Sequence, residues 1–177
     1  MIDLPMLGHA FFVYFVVALF ITSTIAYTVS FSFKKYVIQY QAKLIGRWML
    51  WFSAVMALFA VVFGLYAYAV AGHDDLSHTM LNQHRNIALV TSFVVLILSL
   101  WSAILFNDDK DEGLGFLLIH LSAAAVLLYV AWLGALLVYQ FGVGVNHLPS
   151  PENHNHRTFK SLKDDNPTQS LDKLISR

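Results

Sequence analysis

GFLLIHLSAAAVLLYVAWLGALLVYQF, residues 115–141, contains no Asp, Glu, Lys or Arg, and its reading decides the fold. A hydrocarbon core about 30 Å thick takes about 20 mainly apolar residues to cross as a helix and about 10 as a barrel strand. The run is far too long for a strand. Lipid offers no partner to an unbonded backbone amide, so the segment reads as a transmembrane helix. Gly142-Val143-Gly144-Val145 follows it, a poor helix former, which places the helix end near Phe141.

Three further uncharged runs qualify as spans, at residues 6–29, 48–71 and 86–106. The first is longer than the roughly 7–15 apolar residues of a signal peptide. Asp3 is the one charged side chain before it, so it reads as a retained span. The expected fold is all-α: an integral membrane four-helix bundle over residues 1–145, up-and-down with short connections, followed by a polar C-terminal tail over 146–177. In the tail, Leu148-Pro149-Ser150-Pro151 reads as an extended linker and Lys163-Asp164-Asp165-Asn166-Pro167 as a turn. Leu171, Leu174 and Ile175 make at most one amphipathic turn, and the tail is expected to be flexible or loosely docked.

Composition agrees with the spans. Of 177 residues, 58% are hydrophobic and only 12% charged, with mean hydropathy +0.61. Soluble domains run to about 45–50% apolar and about 25% charged. A bilayer is therefore the expected partner, and disorder and soluble disulfide scaffolds are excluded. The net charge of 0 provides no field to attract nucleic acid. There are no cysteines, which removes disulfides, thiolate iron–sulfur clusters, covalently attached haem and thiolate zinc sites. Eight histidines remain as the strong transition-metal ligands.

Lysine and arginine set the expected orientation. Lys34, Lys35, Lys43 and Arg47 follow the first span, whereas no cation precedes it. That contrast places the first loop in the cytoplasm and both termini outside it. The third loop, Asp108 to Glu112, shares the first loop's side and reads as a solvated acidic loop.

Buried polar groups in lipid are costly, so histidines in or near spans are the first candidates for function. His9 lies roughly 6 Å into the first span, and His84, beside Arg85, opens the third. The first and third spans run in the same direction, which puts both imidazoles at similar depth near one face. That pairing suits the two axial ligands of a haem b, with Arg85 against a propionate. The alternative for the same residues is an interhelical hydrogen bond from His9 and a headgroup-level cap from His84-Arg85. His73 and His78, with Asp74, Asp75 and His84 nearby, form a weaker candidate for a metal site on the same face. His120 lies toward the opposite side. It is expected to hydrogen-bond across helices, with Tyr27, Ser53, Ser102 and Asn107 at comparable depth. Trp48, Trp51, Tyr66, Tyr68, Trp101 and Tyr139 fall toward span ends, as an interfacial belt does. Gly64 and Ala123-Ala124-Ala125 allow close helix approach. No nucleophile–base set, phosphate loop or paired-carboxylate site is visible.

Three motifs carry a resemblance. They are Leu4-Pro5-Met6-Leu7-Gly8-His9 opening the first span, His84-Arg85 at the third, and Gly134 through Val138-Tyr139-x-x-Gly142-Val143-Gly144-Val145 closing the fourth. Together they resemble the bacterial four-span family known as domain of unknown function 2231, over roughly residues 4 to 145. The chain departs from the family pattern in having Leu4 where a histidine is frequent, and Ala10-Phe11 where a proline is frequent. The resemblance implies a multi-pass protein of the bacterial inner membrane. Some relatives occur with redox modules, which implies a haem electron-transfer subunit working with other membrane or redox subunits. A non-catalytic accessory subunit of a larger complex and an outer-face metal-binding protein stand beside it as alternatives.

Overall fold

The computed structural model describes residues 4–33, 35–70, 75–140 and 142, with side chains placed for these apart from residues 4–6, 70 and 75–78. The C-terminal tail lies outside the described residues. Four helices make up the fold: α1 (Leu4–Ser32), α2 (Tyr36–Val70), α3 (Asp75–Asn107) and α4 (Leu114–Tyr139). All four are long and apolar enough to cross a membrane, and the chain is an all-α membrane four-helix bundle.

Helices α2 and α3 start well before the apolar runs that announce them, at Tyr36 rather than Trp48 and at Asp75 rather than Asn86. The reason is local. Residues 36–47 and 75–85 hold no proline, and the single glycine among them, Gly46, is packed against a neighbour. Nothing in these segments stops a helix once it has nucleated. Apolar runs mark where a helix meets lipid, whereas backbone chemistry marks where it ends. At the other terminus, α4 ends at Tyr139, and Gly142 takes the left-handed conformation at φ 63°.

Each helix packs against its sequence neighbours, and α1 closes the ring against α4. Among the described residues the diagonal pairs, α1 with α3 and α2 with α4, do not pack at backbone level. Contacts run antiparallel around the ring, so α1 and α3 point the same way. Tyr27 meets Gly46, and Gly8 meets Phe63, along the α1–α2 seam. Tyr27 packs on Phe116, and Phe20 on His120, along the α1–α4 seam.

The core is read off as one stripe per helix. It takes Val16, Phe20, Ser23 and Tyr27 from α1, and Leu50, Ser53, Ala54, Ala57 and Ala60 from α2. From α3 it takes Thr91, Val95, Leu98 and Ser102, and from α4 Phe116, His120, Ala123, Ala124, Leu127 and Val130. The spacing of three and four residues is that of interdigitating bundle helices. The outward face is apolar too, with Leu58, Val62, Phe93, Leu100, Leu128 and Trp132 all exposed, as lipid solvent requires. Hydroxyls in the spans are satisfied locally or across one seam. Thr24 and Thr28 donate to carbonyls one turn back, while Ser23 donates to Gly46 O and Ser53 to Val16 O.

Candidate functional site: two polar centres at opposite ends of the bundle

Polar side chains gather at two levels, one near each end of the bundle. Along α1 they are marked by His9 and Tyr27, which stand about 27 Å apart at 1.5 Å per residue.

At the first level, His9 Nδ1 lies 2.9 Å from the Ala60 carbonyl of α2. A carbonyl only accepts, so Nδ1 carries the hydrogen and Nε2 keeps its lone pair. The ring fills a notch opposite Gly64, where a Cβ would stand 2.8 Å from the imidazole. His84 on α3 is seated the same way against α4. A Cβ on Gly134 would stand 3.2 Å from its ring. Its Nδ1 is buried without a partner. The two imidazoles are close enough for their charges to interact. One level of the bundle therefore carries histidines on one diagonal, α1 and α3, and glycines on the other, α2 and α4. His9 is anchored to a backbone carbonyl through Nδ1, and His84 keeps a buried Nδ1 without a partner.

Arg85, adjacent to His84, lays its guanidinium over the Tyr68 ring at 4.4 Å and donates to Asn86 Oδ1. No carboxylate pairs with it among the described residues. His73 and the side chain of His78 lie outside the described residues. Among the described residues no three His, Asp or Glu side chains come together to hold a metal ion.

The second level corrects two expectations. Glu112 belongs to the loop expected to be solvated, yet its side chain is 0% exposed. Its Oε1 accepts from Arg47 Nε at 2.7 Å, Ser102 Oγ at 3.0 Å and Tyr27 OH at 3.1 Å, and its Oε2 accepts from Arg47 Nη2 at 3.0 Å. Arg47 also lies over the Phe106 ring and reaches the Lys110 carbonyl. The physical reason is neutralisation. A carboxylate enters a bundle end when a guanidinium and hydroxyls from three helices supply its donors. The rest of the loop is exposed, with Lys110 paired to Asp108 at 3.1 Å.

His120 makes none of its expected hydrogen bonds. It is fully buried among rings, stacked on Phe20 at 4.3 Å and 8°, edge-on to Tyr27 at 5.3 Å and tilted on Phe116. Neither ring nitrogen has a hydrogen-bond partner, although the Phe20 carbonyl lies within electrostatic reach. The hydroxyls of Tyr27 and Ser102, offered by depth as its partners, are taken by Glu112. One signal for this cluster was present in the sequence. Arg47 abuts the second run, Glu112 stands just before the fourth, and four-span topology puts both on one side.

No curated protein and no solved structure matches the chain. A family model does match, over residues 7–147, which takes in all four spans and both polar centres. The chain belongs to the family described as predicted membrane protein, domain of unknown function 2231.

Proposed function

We propose that the protein is a haem b-binding electron-transfer subunit of the membrane, in which His9 and His84 would hold the iron. One observation carries the reading: the crossed diagonals of two histidines and two glycines at a single level. The glycines give the imidazoles their seats: without a Cβ at Gly64 and Gly134, the rings of His9 and His84 lie against α2 and α4 at one level. His9 Nε2 has a lone pair free, and the backbone carbonyl on its Nδ1 is the usual device for fixing a ligand's tautomer and raising its basicity. The orphaned Nδ1 of His84 fits an unfilled valence of this kind. Haem supplies one-electron transfer when bound. The chain's own residues hold the ring planes, exclude water with Phe12, Phe63 and the apolar helix faces, and offer Arg85 to a carboxylate at the membrane boundary. Other redox subunits of the membrane are the partners this reading calls for. The orientation that goes with it keeps the Lys-rich α1–α2 connection in the cytoplasm and the His9–His84 end outside.

The test is a spectrum. The full chain produced with haem supplied is expected to show a reducible low-spin Soret and α-band. His9→Ala and His84→Ala should each abolish it, Gly64→Leu and Gly134→Leu should each displace the facing imidazole and abolish it too, and His120→Ala should leave the spectrum intact. A folded protein that stays colourless under these conditions overturns the proposal and leaves the accessory-subunit reading.

A further inference from the structure

Where α2 emerges from the bundle it forms a cleft with the α3–α4 loop, about 160 Å³ in volume and lined by Tyr36, Gln39, Tyr40, Lys43 and Asp111. Its depth is set by the α1–α2 seam. Gly46 packs on the Tyr27 ring, so Gln39–Lys43 stand roughly 5–10 Å beyond the level of Tyr27, where the apolar run of α1 gives out. That is the headgroup layer, which adds about 5–8 Å to each side of the hydrocarbon core.

The chemistry of the lining is two-signed. Lys43 Nζ lies 2.8 Å from Asp111 Oδ2, with the lysine side chain 12% exposed and the aspartate 71%. The carboxylate thus keeps most of its acceptor capacity toward the cleft and solvent. The hydroxyls of Tyr36 and Tyr40 and the amide of Gln39 make no hydrogen bond among the described residues. The two tyrosine rings stack in parallel, 6.4 Å apart at 17°. Donors for a phosphate and acceptors for an ammonium are therefore side by side at headgroup depth.

We propose that this cleft binds the phosphoethanolamine headgroup of an aminophospholipid, the phosphate on Lys43 and the tyrosine hydroxyls, the primary ammonium on Asp111 and the Gln39 carbonyl. A headgroup with net negative charge meets the Asp111 carboxylate beside its cation. A quaternary ammonium cannot donate to Asp111 or Gln39, and a single pair of parallel rings is no aromatic cage for it. A primary ammonium matches every group present. The proposal is independent of the haem reading, because lipid retention is measured whether or not the protein is coloured.

The full chain is reconstituted in vesicles of equal parts phosphatidylethanolamine, phosphatidylcholine and phosphatidylglycerol with identical acyl chains. It is then extracted in mild detergent, and the co-purifying lipid is read by native mass spectrometry. Wild type is expected to retain the ethanolamine lipid over each of the others by roughly fivefold, the worth of one partly exposed charge contact. Asp111→Asn should bring the ethanolamine lipid down to the level of the glycerol lipid. Lys43→Gln should lower retention of all three, and Tyr36→Phe with Tyr40→Phe should lower it while keeping the rings. Asp111 is exposed, so its variant is expected to match wild type in helix content and elution volume and carries the test by itself. Equal retention of the three lipids overturns the proposal. So does an ethanolamine preference that survives Asp111→Asn. Highest retention of the glycerol lipid, lost only in Lys43→Gln, overturns it in favour of an anionic headgroup site.

Discussion

Replacing Glu112 by Gln changes one atom type and exposes the logic of the buried cluster. The carboxylate receives four hydrogen bonds, three on Oε1 and one on Oε2, and donates none. An amide placed with its oxygen at Oε1 points an NH2 at Arg47 Nη2, donor against donor. Flipped, it points the NH2 at Tyr27, Ser102 and Arg47 Nε together. Either way Arg47, 12% exposed, loses its buried counter-ion and keeps only the exposed Asp111 carboxylate, 3.9 Å away and already paired with Lys43. Breaking one side of a buried ion pair costs about 3–5 kcal/mol. For a chain of this size each kcal/mol lowers the midpoint by roughly 2–4 °C, so a drop of about 6–20 °C is expected. The assay is helical circular dichroism in one detergent at one scan rate, since membrane proteins unfold irreversibly and only matched scans compare. Arg47→Met combined with Glu112→Gln removes the stranded charge. It should recover about 1–3 kcal/mol relative to the sum of the single changes. Lys110→Ala serves as control. Its pair with Asp108 is well exposed on both sides and should shift the midpoint by no more than about 2 °C. A Glu112→Gln midpoint within about 3 °C of wild type, or strict additivity in the double variant, would refute the reasoning.

Two further outcomes are expected. His120→Leu should leave the thermal midpoint unchanged or raise it, because the imidazole buries two nitrogens without partners; a loss larger than about 1 kcal/mol in matched unfolding scans means that the ring is bonded after all. Cysteines replacing Lys110 and Gln140, both exposed and at opposite ends of α4, should differ in labelling by an impermeant maleimide in intact cells. Position 140 is expected to react and position 110 to be protected, and the reverse pattern would turn the His9–His84 end toward the cytoplasm.

How much of the site was legible depended on the kind of signal. His9 and His84 could be paired because span direction and depth follow from counting residues, and both were polar in apolar surroundings. Their glycine counterparts were only half visible. Gly64 reads as a close-approach residue, but nothing in the sequence says that a histidine ring occupies the notch. Glu112 misled because charge in a short loop is normally solvated. Its burial depends on Arg47, 65 positions away, and on hydroxyls from two other helices. His120 misled in the opposite direction. Its depth was right, but depth does not say that Phe20 and Phe116 close over the ring before any hydroxyl reaches it.

The sequence by itself determined that this chain lives in a bilayer as four antiparallel helices, because apolar run length and the backbone's need for internal hydrogen bonds leave no other solution. It determined which end of the bundle carries the His9–His84 pair, since that follows from the parity of crossings. Only the tertiary structure decided how far α2 and α3 extend beyond the lipid, because helix ends are set by capping and breaking residues rather than by hydropathy. It alone decided which helices touch, that histidines and glycines share one level on opposite diagonals, and that Arg47 and Glu112 neutralise each other inside the far end. These are relations between residues distant in the chain. Their energies come from desolvation and close packing, which exist only once the helices have met.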